Sequence, residues 1–232
     1  GAYDHSMLKE IFEQPKVMIR TLKNRLDLYS NKVQLEELGI IEAKLRRAKR
    51  IIFTAEKDVW YSTLSVNYMF ESLIDIPIKV KYAPTLKGQN FQFLKDDIVI
   101  GVSPSGENED VLSVLEEAKI SGATTIAIVN AEQSSLAEMS DVYLGTKTGV
   151  EKGIVSSKTF TTQVTIFALL AMHIGKTRKE LSYGRLSKFG KALARIPKKI
   201  SQVLQSVIQI EEVAKQIKES KKALFLGSGI NF

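Results

Sequence analysis

No cysteine occurs among the 232 residues. Disulfides, thiolate nucleophiles and cysteine-based metal sites are thereby excluded, and a reducing, cytoplasmic location is the expectation. Histidine is nearly as scarce. His5 and His173 lack the helical or hairpin spacing of a metal-ligand pair, so no metal is expected. Long apolar runs are missing too: Val164 to Met172 with its neighbours falls short of the ~20 residues a membrane span needs. No signal-peptide pattern opens the chain, so no membrane partner is expected. Acidic residues number 26 against 33 basic ones, which leaves a formal charge of +7 and a pI near 9.4. That balance invites nucleic acid, but the Lys and Arg are spread along helices among Glu. Arg46-Arg47 and Lys198-Lys199 read as solvated helix faces, and no nucleic-acid partner is expected.

The stretch Asp96 to Ser113 carries the clearest message. Ile98, Val99, Ile100 and Val102 form a short β-branched run, read as a buried strand. Val111, Leu112, Leu115 and Ala118 then take up helical spacing. Between them lies Ser103-Pro104-Ser105-Gly106-Glu107-Asn108. A Ser/Gly turn between strand and helix places hydroxyls and free N–H groups at the helix's positive end, where a phosphate can be held. The same residues also serve as a cap and turn with no ligand, and from them alone the two readings stand level.

Gly1 to Ser6, ahead of Met7, read as the remnant of an expression tag. Residues 7–49 are expected to form leader helices, with Pro15 opening a second helix at its first turn. From residue 50 strand and helix alternate: strands at Arg50–Ala55, Ile78–Tyr82, Asp97–Val102, Thr124–Val129 and Val142–Leu144. Helices are expected at Val59–Ile74, Gln89–Leu94, Glu109–Lys119 and near Leu136. This alternation implies an α/β fold, a three-layer α-β-α sandwich with a five-stranded parallel sheet of the flavodoxin-like doubly wound type, plus N- and C-terminal helical appendages. Ligands in such sheets sit beyond the strands' carboxyl ends. A second hydroxyl cluster, Ser156, Ser157, Thr159, Thr161 and Thr162 around Lys158, precedes an apolar helix expected from Thr161 to His173. Residues 181–220 read as a linker or dimer helix broken near Pro197, and residues 221–232 as the first strand of a second domain.

Leu8 to Pro15 (LKEIFEQP), Phe70-Glu71-Ser72-Leu73 with Ile76-Pro77, Ser103 to Glu107, Gly153 to Gln163 and Ala223 to Gly229 recur in the order of one family. Through them the chain resembles the sugar isomerase (SIS) family, specifically the isomerase half of glutamine:fructose-6-phosphate aminotransferase, or glucosamine-6-phosphate synthase. The resemblance implies a sugar phosphate as small-molecule partner, no cofactor and a homodimer. Position by position it implies Ser103, Ser105, Gly106 and Asn108 at the phosphate, Ile154 and Ser156 at the sugar, and Glu151 as catalytic. Pro104 stands where the family has Gln, and Asn108 where it has Thr.

After the first strand the chain departs from that pattern. A Cys-Gly-Thr-Ser turn is replaced by Glu56-Lys57-Asp58-Val59, which sets a carboxylate facing the expected phosphate. The family's cysteine-dependent glutaminase chemistry is excluded outright. The expectation is therefore a phosphosugar-binding domain of an isomerase, aminotransferase or deglycase-like enzyme, binding without turnover by itself. The alternative is a non-catalytic phosphosugar-sensing or regulatory module.

Overall fold

The computed structural model describes all residues except 1, 2, 4, 28, 31, 88, 90, 153–155, 225 and 228–232. The order of elements is α1 (Ser6–Leu22), a 3-10 helix (Glu36–Ile41), α2 (Glu42–Arg47), β1 (Arg50–Ala55), α3 (Asp58–Glu71), β2 (Ile78–Tyr82), α4 (Ala83–Lys87) and β3 (Asp97–Val102). There follow α5 (Glu109–Ile120), β4 (Thr124–Val129), α6 (Ser135–Met139), β5 (Val142–Gly145), α7 (Ser157–Thr177), α8 (Tyr183–Leu204) and α9 (Val207–Ile217). The five strands pair in parallel in the order β2-β1-β3-β4-β5. The expected α/β sandwich is thus the observed one.

All six residues of β3 and of β4 are buried, as parallel strands covered on both faces must be. One face of the sheet packs against α1, α3 and α7, where Phe53 meets Phe70 and Phe167 edge-on at 5.2 and 5.8 Å. The other face packs against α4, α5 and α6 through Ile52, Val99, Ala127 and Val129. Gly101 lets α5 lie close on β3, because a Cβ there would stand 2.7 Å from Leu115.

Several local expectations change. α1 is continuous through Pro15. Pro15 cannot donate to the Ile11 carbonyl, but the Gln14 side chain does so at 3.3 Å, so the helix loses little. The short helix after β2 is Ala83–Lys87, not Gln89–Leu94. Phe91 and Phe93 instead pair edge-to-face at 5.0 Å and pack on the core beside α5, which holds that segment out of a helix. α7 begins at Ser157 and so absorbs most of the hydroxyl cluster. α8 runs through Pro197 and ends at Leu204, where Gln205 and Ser206 close tight bonds to Gln202 and Val203.

Leu186, Phe189, Leu193 and Ile196 of α8 pack back on the core, whereas Ile208, Ile210, Val213 and Ile217 of α9 face solvent. Of the segment 221–232, read from sequence as a first strand, residues 225 and 228–232 lie outside the described residues, and 222–224, 226 and 227 are exposed and form no strand. The positive charge is less scattered than expected: α8 carries Arg185, Lys188, Lys191, Arg195, Lys198 and Lys199 and no acidic residue. No described helix is long and apolar enough to cross a membrane.

His173 of α7 is mostly buried, and neither ring nitrogen has a hydrogen-bond partner among the described residues. Burial lowers its pKa to about 4, aided by Lys176 and opposed by Glu42 and Glu37. The unfolded chain therefore takes up this proton before the folded one does. The associated stability is complete above pH 6.5 and is lost as pH falls toward 4. Urea denaturation is expected to show about 2 kcal/mol lost between pH 7 and pH 5 from this group, a loss that His173→Leu removes.

Candidate functional site

In this strand order the connections diverge between β1 and β3, since α3 covers one face and α5 the other. The carboxyl ends of two adjacent strands thus open into a crevice at a topological switch point. Two segments border it: Glu56-Lys57-Asp58-Val59 after β1, and Ser103 to Asn108 after β3.

The Ser103–Asn108 turn is built tightly. Ser103 is buried, and its Oγ accepts from Gly106 N at 3.1 Å. Ser105 is exposed, with its Oγ accepting from Glu107 N at 3.3 Å. Gly106 takes φ +68°, and a Cβ there would lie 1.9 Å from Ser134 Oγ, so only glycine fits. Asn108 is the N-cap of α5, its Oδ1 accepting from Val111 N at 3.0 Å. Its other side-chain atom, Nδ2, donates to Glu56 Oε2. Glu107 leaves the crevice altogether. Its carboxylate accepts from Ser135 N and Oγ at the start of α6, and the Ser135 hydroxyl holds its pKa below the usual range.

The capping reading and the anion reading are therefore not exclusive, because one Ser and the Asn build the turn while Ser105 stays open to solvent. The backbone explains the β1 departure in part. Lys57 adopts φ +54°, a region glycine enters far more readily than other residues, and Val59 supplies no hydroxyl.

Ser156 lies elsewhere, in an open cleft of about 450 Å³ lined by Gln14 of α1, Asp58, Val59 and Tyr61 at the start of α3, and Ser157, Thr159 and Gln163 of α7. The 56–59 segment joins the two places: Glu56 touches Asn108 on one side, while Asp58 and Val59 line the cleft on the other. Two buried polar atoms of the cleft residues, Ser157 Oγ and Gln163 Nε2, have no partner among the described residues. Gln163 is held by its other end, where Oε1 accepts from Ser62 Oγ at 2.6 Å.

Glu151 does not reach out toward a ligand. Its two carboxylate oxygens accept from Lys158 N at 2.8 Å and Thr159 Oγ1 at 2.5 Å, so it caps the start of α7. Ile154 lies outside the described residues. Among the described residues no group of three His, Cys, Asp or Glu side chains gathers as a metal ion would require.

The leader helix α1 supports the cleft directly. Glu13 accepts from Lys158 Nζ at 2.9 Å, Glu10 accepts from Lys152 N at 2.5 Å, and Gln14 Oε1 accepts from Thr161 Oγ1 at 2.5 Å. Lys158 is 3% exposed, and its hydrogen bond lowers the Glu13 pKa against partial burial. Three polar residues of KEIFEQP facing one way along a helix were the signal available for this role.

Residues 44–173 match the SIS domain family. Over all of its length the chain is 35% identical to the glutamine–fructose-6-phosphate aminotransferase (isomerizing) of Chlorobaculum tepidum, and 35% identical to that of Pseudomonas aeruginosa, of which it covers 38% in each case. The chain thus spans well under half the length of these curated relatives. Among solved structures, the C-terminal domain of glucosamine-fructose-6-phosphate aminotransferase from Francisella tularensis superposes with a TM-score of 0.92 at 27% identity, over 98% of this chain and 63% of that one. With more than half of its residues matched to the family and its whole sheet superposing on a relative, this chain belongs to the SIS domain family.

Proposed function

We propose that the chain is a phosphosugar-binding domain, the binding part of an aminotransferase- or isomerase-like enzyme. The switch-point turn receives the phosphate, and the adjacent cleft receives the sugar. The observation that carries this reading is the cleft itself: Gln163 Nε2 and Ser157 Oγ are polar, buried and without a partner among the described residues, beside the crevice at the carboxyl ends of β1 and β3. An unsatisfied buried polar group is costly, and a sugar hydroxyl would relieve that cost. Ser105, at the exposed edge of the turn, would donate to the phosphate. The unphosphorylated end of the ligand supplies orientation, and the phosphate supplies binding energy remote from the reacting carbons.

Glu151 favours a domain that binds without itself moving a proton, since both of its oxygens are committed to α7. The exposed apolar stripe of α9 supports association with a second copy.

Calorimetric titration with fructose 6-phosphate, glucosamine 6-phosphate and inorganic phosphate tests the reading. Ser105→Ala and Gln163→Leu are each expected to weaken sugar-phosphate binding by about tenfold, the loss of one hydrogen bond to a charged or buried partner. The reading is overturned if neither substitution changes the affinity for fructose 6-phosphate, or if no sugar phosphate binds.

A further inference from the structure

The loop after β1 brings an anion of its own to the switch point. Glu56 is a carboxylate with a 13% exposed side chain, and its Oε2 accepts from Nδ2 of Asn108, the cap of α5. It therefore sits at the positive end of that helix and holds a donor that an incoming phosphate would otherwise take. Its other oxygen, Oε1, lies 3.4 Å from Lys57 Nζ, but that lysine side chain is 77% exposed and screens the charge only weakly. The contact spans the switch point, since Glu56 follows β1 and Asn108 closes the turn after β3, and it stands beside a strained backbone position, Lys57 at φ +54°.

We propose that Glu56 is a specificity-determining residue of this site, a built-in competitor seated on Asn108 that a phosphorylated ligand must displace. The proposal rests on the phosphosugar reading and deepens it. Two carboxylate or phosphate charges cannot share Asn108 at contact distance without strong repulsion. Binding of a doubly charged phosphate monoester is consequently weak in the parent chain. The site discriminates by charge at the turn, while the cleft continues to recognise hydroxyls.

The test uses the full 232-residue chain, with Glu56→Gln as the informative variant and its thermal melt as the check on folding. Glutamine keeps the size of the side chain and an oxygen to accept from Asn108, and it removes only the charge. Glu56→Gln is expected to tighten binding of both inorganic phosphate and fructose 6-phosphate by at least about tenfold, with little change for unphosphorylated fructose. Glu109→Gln, which removes an exposed charge from the first turn of the same helix, is the comparison and is expected to act by less than about twofold.

If Glu56→Gln leaves phosphate and fructose 6-phosphate binding unchanged or weaker, while Ser105→Ala still weakens fructose 6-phosphate, the competitor role is overturned and the phosphosugar reading stands. Equal tightening by Glu109→Gln also overturns it, since net charge and not the seat on Asn108 would then be responsible. Failure of any sugar phosphate to bind either the parent or Glu56→Gln overturns both proposals together.

Discussion

Gly106→Ala is expected to lower stability by about 3 kcal/mol and to abolish sugar-phosphate binding. A left-handed conformation at φ +68° costs an L-residue about 1–2 kcal/mol. The added Cβ would also lie 1.9 Å from Ser134 Oγ and 2.4 Å from Ser134 Cβ, an overlap with an overpacking cost of about 1–3 kcal/mol. The turn cannot give way freely, because Gly106 N is tied to Ser103 and Gly106 O accepts from Leu136 N at 2.9 Å. Urea denaturation measures the loss. Adding Ser134→Gly removes the obstructing side chain and is expected to recover about half of it, leaving the backbone cost. A loss below about 1 kcal/mol in the single variant would show that the turn relaxes and does not depend on this geometry.

Asp97→Ala is expected to cost about 4 kcal/mol, the magnitude for breaking a buried ion pair. Asp97 is 1% exposed, and its carboxylate accepts from Arg50 Nε at 3.0 Å, from Arg50 Nη2 at 2.5 Å and from Leu94 N at 2.8 Å. Arg50 and Asp97 are register partners at the amino ends of β1 and β3. The pair therefore helps to align the two strands whose opposite ends carry Glu56 and Ser103. Removal of the carboxylate leaves a guanidinium with little solvent and an N–H without its acceptor. Replacing both residues by Leu is expected to recover most of the loss, because the penalty belongs to the stranded charge more than to the missing attraction. If the double variant is no better than Asp97→Ala, the pair contributes through strand register itself. Thermal melts of the three proteins separate these outcomes.

Much of the architecture was legible because it rests on short-range periodicity. Short runs rich in β-branched residues mark β1, β3 and β4, and crossover connections between them force parallel pairing. The misplacements have separate causes. Pro15 and Pro197 read as helix breaks, but a neighbouring amide in one case and packing on the core in the other carry the helix through. Phe91 and Phe93 had no helical fate once their rings found each other and α5. The turn residues Ser103, Ser105, Gly106 and Asn108 were identifiable from their types and order. The roles of Gln163, Glu13 and Gln14 were not, since each depends on a partner more than 100 positions away.

By itself the sequence determined the class of fold, the turn after β3 and the unusual carboxylate after β1, because these follow from composition and from spacing within a dozen residues. Only the tertiary structure decided what those groups do. Packing of α1 and α7 turned Glu151 into a cap and opened the cleft at Gln163, and the adjacency of β1 and β3 brought Glu56 onto Asn108. The physical reason is that hydrogen-bond acceptors are allotted by distance in space, and a chain order of residues carries no record of which distant donor arrives first.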